Sequence, residues 1–414
     1  MNKPSAAGHV YIHLPFCHSR CSYCSFVSVA VDRVPEAEYL EALLAELDCR
    51  RRLFPELFHP LASLYFGGGT PSLFSPSFFS KIIEYLSETP GFAEDFEITL
   101  EANPADVELW RMEGYRAAGV NRVSLGVQTF DERGLKILGR RHDAESAVQA
   151  ISVLRRAGFE NLSFDLIYAW PEQEISQLEV DLERLVSLAP EHVSAYVLSL
   201  EPGTQMKAEV AAGRLRSLSE AVQREMMELV SRRLERGGLR RYEVSNYARE
   251  RKFQAQHNLA CWRMRDFIGL GAGACGNWKG RRHQDSWAEH YCNLADPFLY
   301  MEKLAAWRRA AAAGLGFRPE DRLWSAVGRE SSWSETETVD REVSFSESLM
   351  MGLRLRQGVE LAELKDEFGC ELVADLLSRA RPLELEGLLA RDRHALKITD
   401  QGLFLSDSIL AFLL

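Results

Sequence analysis

Three cysteines fall within one short run near the start of the chain, His13-Leu14-Pro15-Phe16-Cys17-His18-Ser19-Arg20-Cys21-Ser22-Tyr23-Cys24-Ser25-Phe26. The spacing C-x3-C-x2-C supplies three thiolates and then stops. Three thiolates tie three irons of a cubane cluster to protein and leave the fourth iron open to a small molecule. That describes a reaction site or its descendant rather than a staple. A structural zinc site is the plainer reading. Zinc wants four closed ligands, and no second C-x2-C follows, although His13 or His18 could complete the set. The remaining cysteines, Cys49, Cys261, Cys275, Cys292 and Cys370, stand singly, which predicts no disulfide framework and suits a reducing compartment.

Elements must hold such a loop in place. Short strand-like runs at Val10 to Leu14, Leu61 to Phe66, Phe96 to Leu100, Arg122 to Val127, Leu162 to Tyr168 and His192 to Leu200 alternate with amphipathic stretches. Asp143 to Ala157 places Ala147, Val148, Ile151 and Leu154 at helical spacing with Gly158 as a stop, and Leu178, Leu182, Leu185 and Leu188 precede Pro190. Strand–helix alternation at this pitch predicts an α/β fold with a parallel sheet, curled into a partial (β/α)6 barrel. In such sheets function gathers at the C-terminal strand ends. Cys17, Gly67-Gly68-Gly69-Thr70-Pro71, Glu101-Ala102-Asn103-Pro104, Gln128, Asp165, Ser199 and Glu201 all fall at or near those ends. The three glycines let backbone approach a ligand closely, although alone they equally describe a tight turn. Glu101, alone, reads as a solvated or salt-bridged carboxylate; at a barrel mouth it becomes a grip for an ammonium or ribose hydroxyls.

Composition sets the bounds. The 414 residues are 46% hydrophobic and 26% charged, with formal net charge -11. That balance opposes a general nucleic-acid binder, which needs a cationic field. No run is apolar for the roughly 20 residues that span a bilayer, and the N-terminus leads into no apolar signal core, so a cytoplasmic protein is expected. Residues 1–240 read as the barrel, 241–314 as its extension, 315–344 as a polar linker or insertion, and 345–414 as a small winged-helix-like α+β module. That module holds eight Lys/Arg against twelve Asp/Glu, which favours a lid or docking surface over DNA binding.

The ordered motifs are far more specific than the cysteines alone. Tyr11-Ile12-His13-Leu14-Pro15-Phe16-Cys17 through Cys24, Tyr65-Phe66-Gly67-Gly68-Gly69-Thr70-Pro71-Ser72, Glu101-Ala102-Asn103-Pro104 and Ser124-Leu125-Gly126-Val127-Gln128-Thr129-Phe130 come first. Gly139-Arg140-Arg141-His142, Asp165-Leu166, Glu201-Pro202-Gly203-Thr204 and Tyr242-Glu243-Val244-Ser245-Asn246-Tyr247 follow. Together they resemble the radical S-adenosylmethionine (SAM) superfamily, in its oxygen-independent coproporphyrinogen III oxidase group, and within that group the HemW-type haem-chaperone branch. The resemblance covers residues 8 to 300 and resumes near 345. It implies that Cys17, Cys21 and Cys24 hold a 4Fe–4S cluster whose open iron chelates SAM. One electron from that cluster would cleave the SAM carbon–sulfur bond. Tyr11, Tyr23, Gly68, Gly69, Thr70, Glu101, Gln128, Arg140, Asp165 and Ser199 match positions that contact one or two SAM molecules in the family. The plainer reading of Arg140 and Asp165 is an internal ion pair bracing the mouth.

Within that resemblance, Phe26 stands where the oxidase branch carries a further cysteine, and only 16 residues precede Cys17. Both favour the chaperone branch, which binds haem and passes it to acceptor apoproteins, over oxidative decarboxylation of a porphyrinogen. No catalytic residue is assigned. An electron donor is the implied partner, nucleic acid is not, and a homodimer stays open. The haem segment is His257-Asn258-Leu259-Ala260-Cys261-Trp262 against the family's H-N-x-x-Y-W. His257 would be an axial ligand or an interior hydrogen-bonded histidine, and Cys261 replaces the expected tyrosine. Ala169-Trp170-Pro171-Glu172-Gln173 stands where the family has a Gly-Leu-Pro-Gly-Gln-like turn, which predicts an altered loop. Gly269 to Gly276 reads as a close-packed loop.

Overall fold

The computed structural model describes residues 8–53, 55, 58–279, 287–312 and 333–414. Six parallel strands form its centre: β1 (Gly8–Leu14), β2 (Leu61–Gly68), β3 (Phe92–Ala102), β4 (Arg122–Gln128), β5 (Leu162–Tyr168) and β6 (His192–Val197). All six expected strands are therefore present. Two short strands, β7 (Arg240–Arg241) and β8 (Asn246–Ala248), extend the sheet antiparallel beyond β6, and β9 (Ile268–Leu270) adds parallel to β1. The order β9-β1-β2-β3-β4-β5-β6-β8-β7 does not close, so the barrel is incomplete.

Helices α1 (Glu36–Leu53), α2 (Pro76–Glu88), α3 (Leu109–Ala118), α4 (Glu132–Ile137), α5 (Ala144–Arg156) and α6 (Ile175–Ser187) alternate with the strands. Their apolar faces cover the sheet's outer side. In α5, the Asp143 side chain accepts from Ser146 N and caps the first turn, while Ala147, Ile151 and Leu154 are buried. Gly158 follows at φ +88°, the left-handed geometry that ends a helix without Cβ strain. Helices α7 (Gln205–Ala211), α8 (Glu220–Arg236), α9 (Gln256–Trp262) and α10 (Pro297–Ala312) complete the barrel unit. No described helix is long and apolar enough to cross a membrane.

The strands carry two different faces. Along β4, Val123, Leu125 and Val127 join the hydrophobic core, while Arg122, Ser124, Gly126 and Gln128 line an inner cavity. The period of two in side-chain direction puts the polar set inside the half-barrel and the apolar set beneath the helices.

A second three-stranded sheet is made of β10 (Cys275–Trp278), β11 (Ala288–Asn293) and β12 (Ser334–Val339). Two expectations are corrected here. The end of the supposed linker 315–344 is strand β12, and helix α11 (Arg341–Gly352) begins inside it; residues 315–332 lie outside the described residues. Its polarity reflects an edge strand whose Glu335 to Thr338 are exposed. Cys275 and Cys292 form a disulfide, because antiparallel pairing sets them directly opposite although 17 residues separate them. Spacing along the chain carries no sign of such a cross-strand pair. The glycine-rich turn before β10 is close-packed as expected, since a Cβ on Gly271 would lie 2.4 Å from His13 O.

A buried ion pair ties this sheet to the barrel. Arg50 and Glu46, one turn apart on α1, are 2% and 0% exposed and 3.0 Å apart. Arg50 also donates to Asn293 Oδ1 at 2.9 Å and to Ser334 Oγ, and its guanidinium lies over the Tyr291 ring. Glu46 accepts from Gly271 N, Asn293 Nδ2 and Tyr300 OH. Each lone pair of the carboxylate is used, which makes a charge tolerable at this depth.

The C-terminal unit contains α11, β13 (Val359–Glu360), α12 (Leu361–Phe368), α13 (Cys370–Leu385), β14 (Leu389–Arg391), β15 (Ala395–Ile398) and α14 (Ser406–Leu413). It has its own core around Phe345, Leu349, Phe368 and Leu376. It joins the barrel through Arg356 N to Tyr242 O and the Arg356–Glu235 ion pair.

Because removing Glu46 strands the Arg50 charge, Glu46→Leu should cost about 3–5 kcal/mol in urea denaturation. The double change Glu46→Leu with Arg50→Met should cost less than the single change. A double variant weaker than the single would mean that Arg50 is stabilised by its other partners and not by Glu46.

Candidate functional site

The loop after β1 carries the three cysteines. Phe16–Cys17 pairs in parallel with Val29–Ala30, which folds the run back across the barrel mouth. Cys17 is buried, Cys21 and Cys24 are half-buried, and all three are free thiols. Cys24 N donates to Cys21 O and closes the turn between them. Burial pushes the Cys17 and Cys24 thiols above the usual range, so each awaits a cation to favour its thiolate. Donors already face the sulfurs: Thr70 Oγ1 lies 3.3 Å from Cys17 Sγ, and Arg140 Nη1 lies 3.5 Å from Cys21 Sγ. Among the described residues no three His, Cys, Asp or Glu groups gather as a single-ion site. His13, one of the two histidines that could complete a zinc set, is bonded through Nε2 to Val27 O.

The glycine loop lies against the cysteine loop. Gly69 N donates to Leu14 O and Thr70 N to Phe16 O, both at 2.9 Å. A Cβ on Gly69 would stand 2.7 Å from Phe16 O, and one on Gly68, at φ +114°, would enter the His13 ring. These two positions admit glycine alone. Gly68 N then turns toward Glu101 Oε2 at 3.1 Å, and Tyr65 OH donates to the other oxygen at 2.8 Å.

A cavity of about 430 Å³ opens at this rim. Cys17, Cys21, Tyr23, Cys24, Gly68, Gly69, Thr70, Glu101, Gln128, Arg140, Asp165 and Ser199 all line it, as expected from the sequence. Tyr11 and His257 do not. Tyr11 OH is bonded to His13 Nδ1 at 2.9 Å, beneath the cavity. The buried His257 ring is bonded to Ser63 Oγ through Nδ1 at 3.1 Å and packs against Tyr11 and Tyr65. Burial drives its pKa down to about 3, so the ring is neutral. Its neighbour Asn258 reaches the cavity instead. The interior hydrogen-bonded histidine is thus the arrangement found. The Cys261 thiol is pushed up to about 12 by burial.

Unspent polar atoms mark where a ligand would bind. Gln128 Oε1 and Arg140 Nε are buried without a partner. Gln128 has φ +68°, which ends β4 and swings its amide into the cavity. Arg140 Nη2 donates to Gly126 O, and a Cβ at Gly126 would press on both side chains. Arg140 and Asp165 do not brace one another: Arg140 is held on Cys21 and Gly126, whereas Asp165 accepts from Ser124 Oγ at 2.9 and 3.2 Å. Desolvation lifts Glu101 to about 7 and Asp165 to about 6; Asp165 adds to the rise of Glu101, and nearby Arg122 relieves both. Such carboxyls gain most from an incoming cation or hydroxyl donor. Phe26 stands at the rim, 66% exposed.

Several contributors were not singled out from the sequence. Tyr65, Arg122, Ser124, Ser194, Tyr196 and Asn258 also line the cavity. Arg122 is 2% exposed and stands 3.9 Å from Glu97 as the internal countercharge. The signal was there: each lies two residues from another polar side chain on its own strand, Asn258 apart.

The altered turn after β5 keeps the geometry that glycine would serve. Ala169 and Glu172 have φ +59° and +64°, held by Gln173 Oε1 accepting from Ala169 N and by the buried Trp170.

Comparison with known proteins matches residues 11–185 to the Radical SAM superfamily and residues 339–405 to the HemN C-terminal domain. The chain is 30% identical over 409 residues to the heme chaperone HemW of Lactococcus lactis subsp. lactis (strain IL1403), covering 99% of this chain and 97% of that one. It is 31% identical to the mitochondrial radical S-adenosyl methionine domain-containing protein 1 of Danio rerio, over 98% of this chain and 86% of that one. Its fold is similar to that of the coproporphyrinogen III oxidase HemN from Escherichia coli, a radical SAM enzyme, with a TM-score of 0.77 at 20% identity, covering 99% of this chain and 90% of that one.

The raised Glu101 pKa makes a signed forecast. A carboxyl at about 7 in the fold, against 4.5 ordinarily, binds its proton more tightly folded than unfolded. Stability of the ligand-free protein therefore falls as pH rises from about 5 to about 7, and the loss persists above. Glu101→Gln should remove much of that slope, raising stability relative to the parent by about 2 kcal/mol at pH 8 and by little at pH 4.5. Urea midpoints at the two pH values test this. An unchanged slope would mean that the carboxyl is hydrated.

Proposed function

The chain belongs to the radical SAM superfamily and, within it, to the HemW heme-chaperone family, and from that premise we propose a cytoplasmic protein that holds a 4Fe–4S cluster and SAM at the barrel mouth, binds haem, and passes it to acceptor apoproteins. An electron donor is the further partner this requires.

The observation that carries the reading is the meeting, in one cavity, of three free thiols with an unspent Gln128 carbonyl and Arg140 Nε–H. When bound, a cluster with one open iron supplies a one-electron couple to whatever ligates that iron. The chain's own residues supply the rest. Cys17, Cys21 and Cys24 would hold the cluster, with Thr70 Oγ1 and Arg140 Nη1 donating to two of the sulfurs. Gly68 and Gly69 bring backbone close to the ligand. Glu101 and Asp165 offer buried carboxyls to a cationic amine or to hydroxyls. Phe26 gives the rim an apolar side chain, and no thiol, where the oxidase branch carries its further cysteine. Haem enters through the full-length similarity to proteins named heme chaperone.

Anaerobically reconstituted protein should contain about four irons and four sulfides per chain. Cys17→Ala, Cys21→Ala and Cys24→Ala should each lose them. The same protein should take up haem, and should leave coproporphyrinogen III undecarboxylated when supplied with SAM and reductant. Zinc in place of iron would end the cluster reading. Robust decarboxylation would replace the chaperone with the oxidase.

A further inference from the structure

The disulfide found among the described residues lies outside the barrel mouth but against its frame. Cys275 on β10 and Cys292 on β11 face each other across the antiparallel ladder, and both are exposed. The fold does not depend on this bond as a staple. Beside it, Asn293 is already fixed by Arg50, Glu46 and Gly271 O, and Asn293 N donates to Ala274 O at 2.8 Å. Disulfides held in exposed positions are the ones that exchange with thiols, and in reducing compartments such bonds are transient and regulatory.

What the bond does hold is a turn. Residues Gly271 to Ala274 lead straight into Cys275, and this turn touches both flanks of the cysteine run. On the near flank, ahead of Cys17, Gly271 packs on His13 O. Tyr39 OH donates to that same carbonyl at 2.8 Å and accepts from Ala272 N at 2.9 Å. On the far flank, past Cys24, a Cβ on Gly273 would stand 2.8 Å from the Val27 side chain. His13 Nε2 and Val27 O meet at 2.7 Å and close the base of the loop. The turn is in turn registered on β11, because Gly273 N donates to Leu294 O at 2.8 Å, close to Cys292. With the disulfide closed, β10 and β11 cannot slide past one another at this point, and the turn stays pressed on His13 and Val27. With it open, the ladder rests there on hydrogen bonds alone, and β10 is the outer strand of its sheet. Edges of that kind open locally without global unfolding.

We propose that Cys275–Cys292 is a site of thiol–disulfide exchange with a dithiol reductant, and that its state sets how readily the cysteine loop opens. A thiolate of the reductant attacks one sulfur, the protein S–S bond breaks, and the other cysteine leaves as a thiolate. The freed cysteine stays opposite the mixed disulfide and re-closes the bond unless a second thiol of the reductant attacks first. A dithiol is therefore the class that opens this pair efficiently. Both protein sulfurs end as thiols, having gained two electrons and two protons, and the reductant ends as its own disulfide. The proposal stands on the packing of the cysteine loop and does not rest on the haem reading.

The test is site-resolved alkylation of the metal-free full chain, prepared without oxygen and read by mass spectrometry. Denatured before any reductant is added, the chain should show six thiols of its eight cysteines, and all eight after dithiothreitol. Glutathione at the same thiol concentration should open much less of the pair. In the folded chain, reduction by dithiothreitol, then removed, should speed alkylation of Cys17, Cys21 and Cys24 by roughly 10-fold. Cys370, exposed on the C-terminal unit, should react at an unchanged rate. Cys275→Ser combined with Cys292→Ser should show the faster rate with or without reductant. Eight thiols in the untreated parent overturn the site. Glutathione as effective as dithiothreitol overturns the assignment to a dithiol. Equal rates at the three cysteines before and after reduction overturn the coupling, and this arm needs no variant to fold.

Discussion

Everything at the barrel mouth depends on one seam of backbone against backbone. The cysteine loop and the glycine loop exchange Gly69 N to Leu14 O and Thr70 N to Phe16 O. They can do so only because Gly69 has no Cβ to strike Phe16 O, and because Gly68 takes a left-handed turn over the His13 ring. Parallel register sets up the approach: Leu14 pairs with Gly68 across β1 and β2, so both strands end at the same height. Once the seam is closed, Thr70 stands beside Cys17 and Gly68 N beside Glu101. A side chain at either glycine would separate the sulfurs from the carboxyl that faces them.

The interior behind that seam is polar for a reason tied to topology. An incomplete barrel has an inner face that no helix covers, so side chains of alternating residues must fill it. Here the filling is charged. Glu97, Glu101 and Asp165 lie around the buried guanidinium of Arg122, whose pKa rises through Glu97 and Asp165 despite burial. Desolvation then favours protonated Glu101 and Asp165, which are lifted to about 7 and about 6. A ligand that brings positive charge or hydroxyl donors favours the ionised form of both carboxyls.

The outer half of this architecture was legible because it follows from burial. Val123, Leu125 and Val127, or Ala147, Ile151 and Leu154, repeat at the period of their element and locate strand and helix. The rim was legible because unusual residues end each strand. Arg122, Ser124 and Tyr196 were hidden because they lie inside runs that read as apolar, and only the period of two separates their face from the core face. His257 kept two readings, axial ligand or interior hydrogen-bonded histidine, since a short helix gives no sign in one sequence of which side faces the lumen; the bond to Ser63, 194 residues away, favours the interior one. Pairing of Cys275 with Cys292 needed the register of two strands, which spacing does not encode.

Backbone strain is concentrated at the places where the chain bends toward ligands. Among the described residues, the non-glycine residues at positive φ are Gln128, Ala169, Glu172, Ala189 and Met264. Three of them sit at or just beyond the C-terminal ends of β4 and β5, and Met264 lies in the turn between α9 and β9. Relaxing any one would be favourable locally, by about 1–2 kcal/mol. Each persists because its neighbours leave no alternative. Trp170 is fully buried between Ala169 and Glu172, so the β5 turn cannot unwind without exposing an indole. Gln128 is followed by Thr129 and Phe130, both pinned by the buried Asp181. In both cases the constraint lies one or two residues past the strained position, in packing that never touches the cavity. The turn after β5 therefore holds positive φ at an alanine and a glutamate: the geometry is imposed from outside, and glycine would only lower its cost.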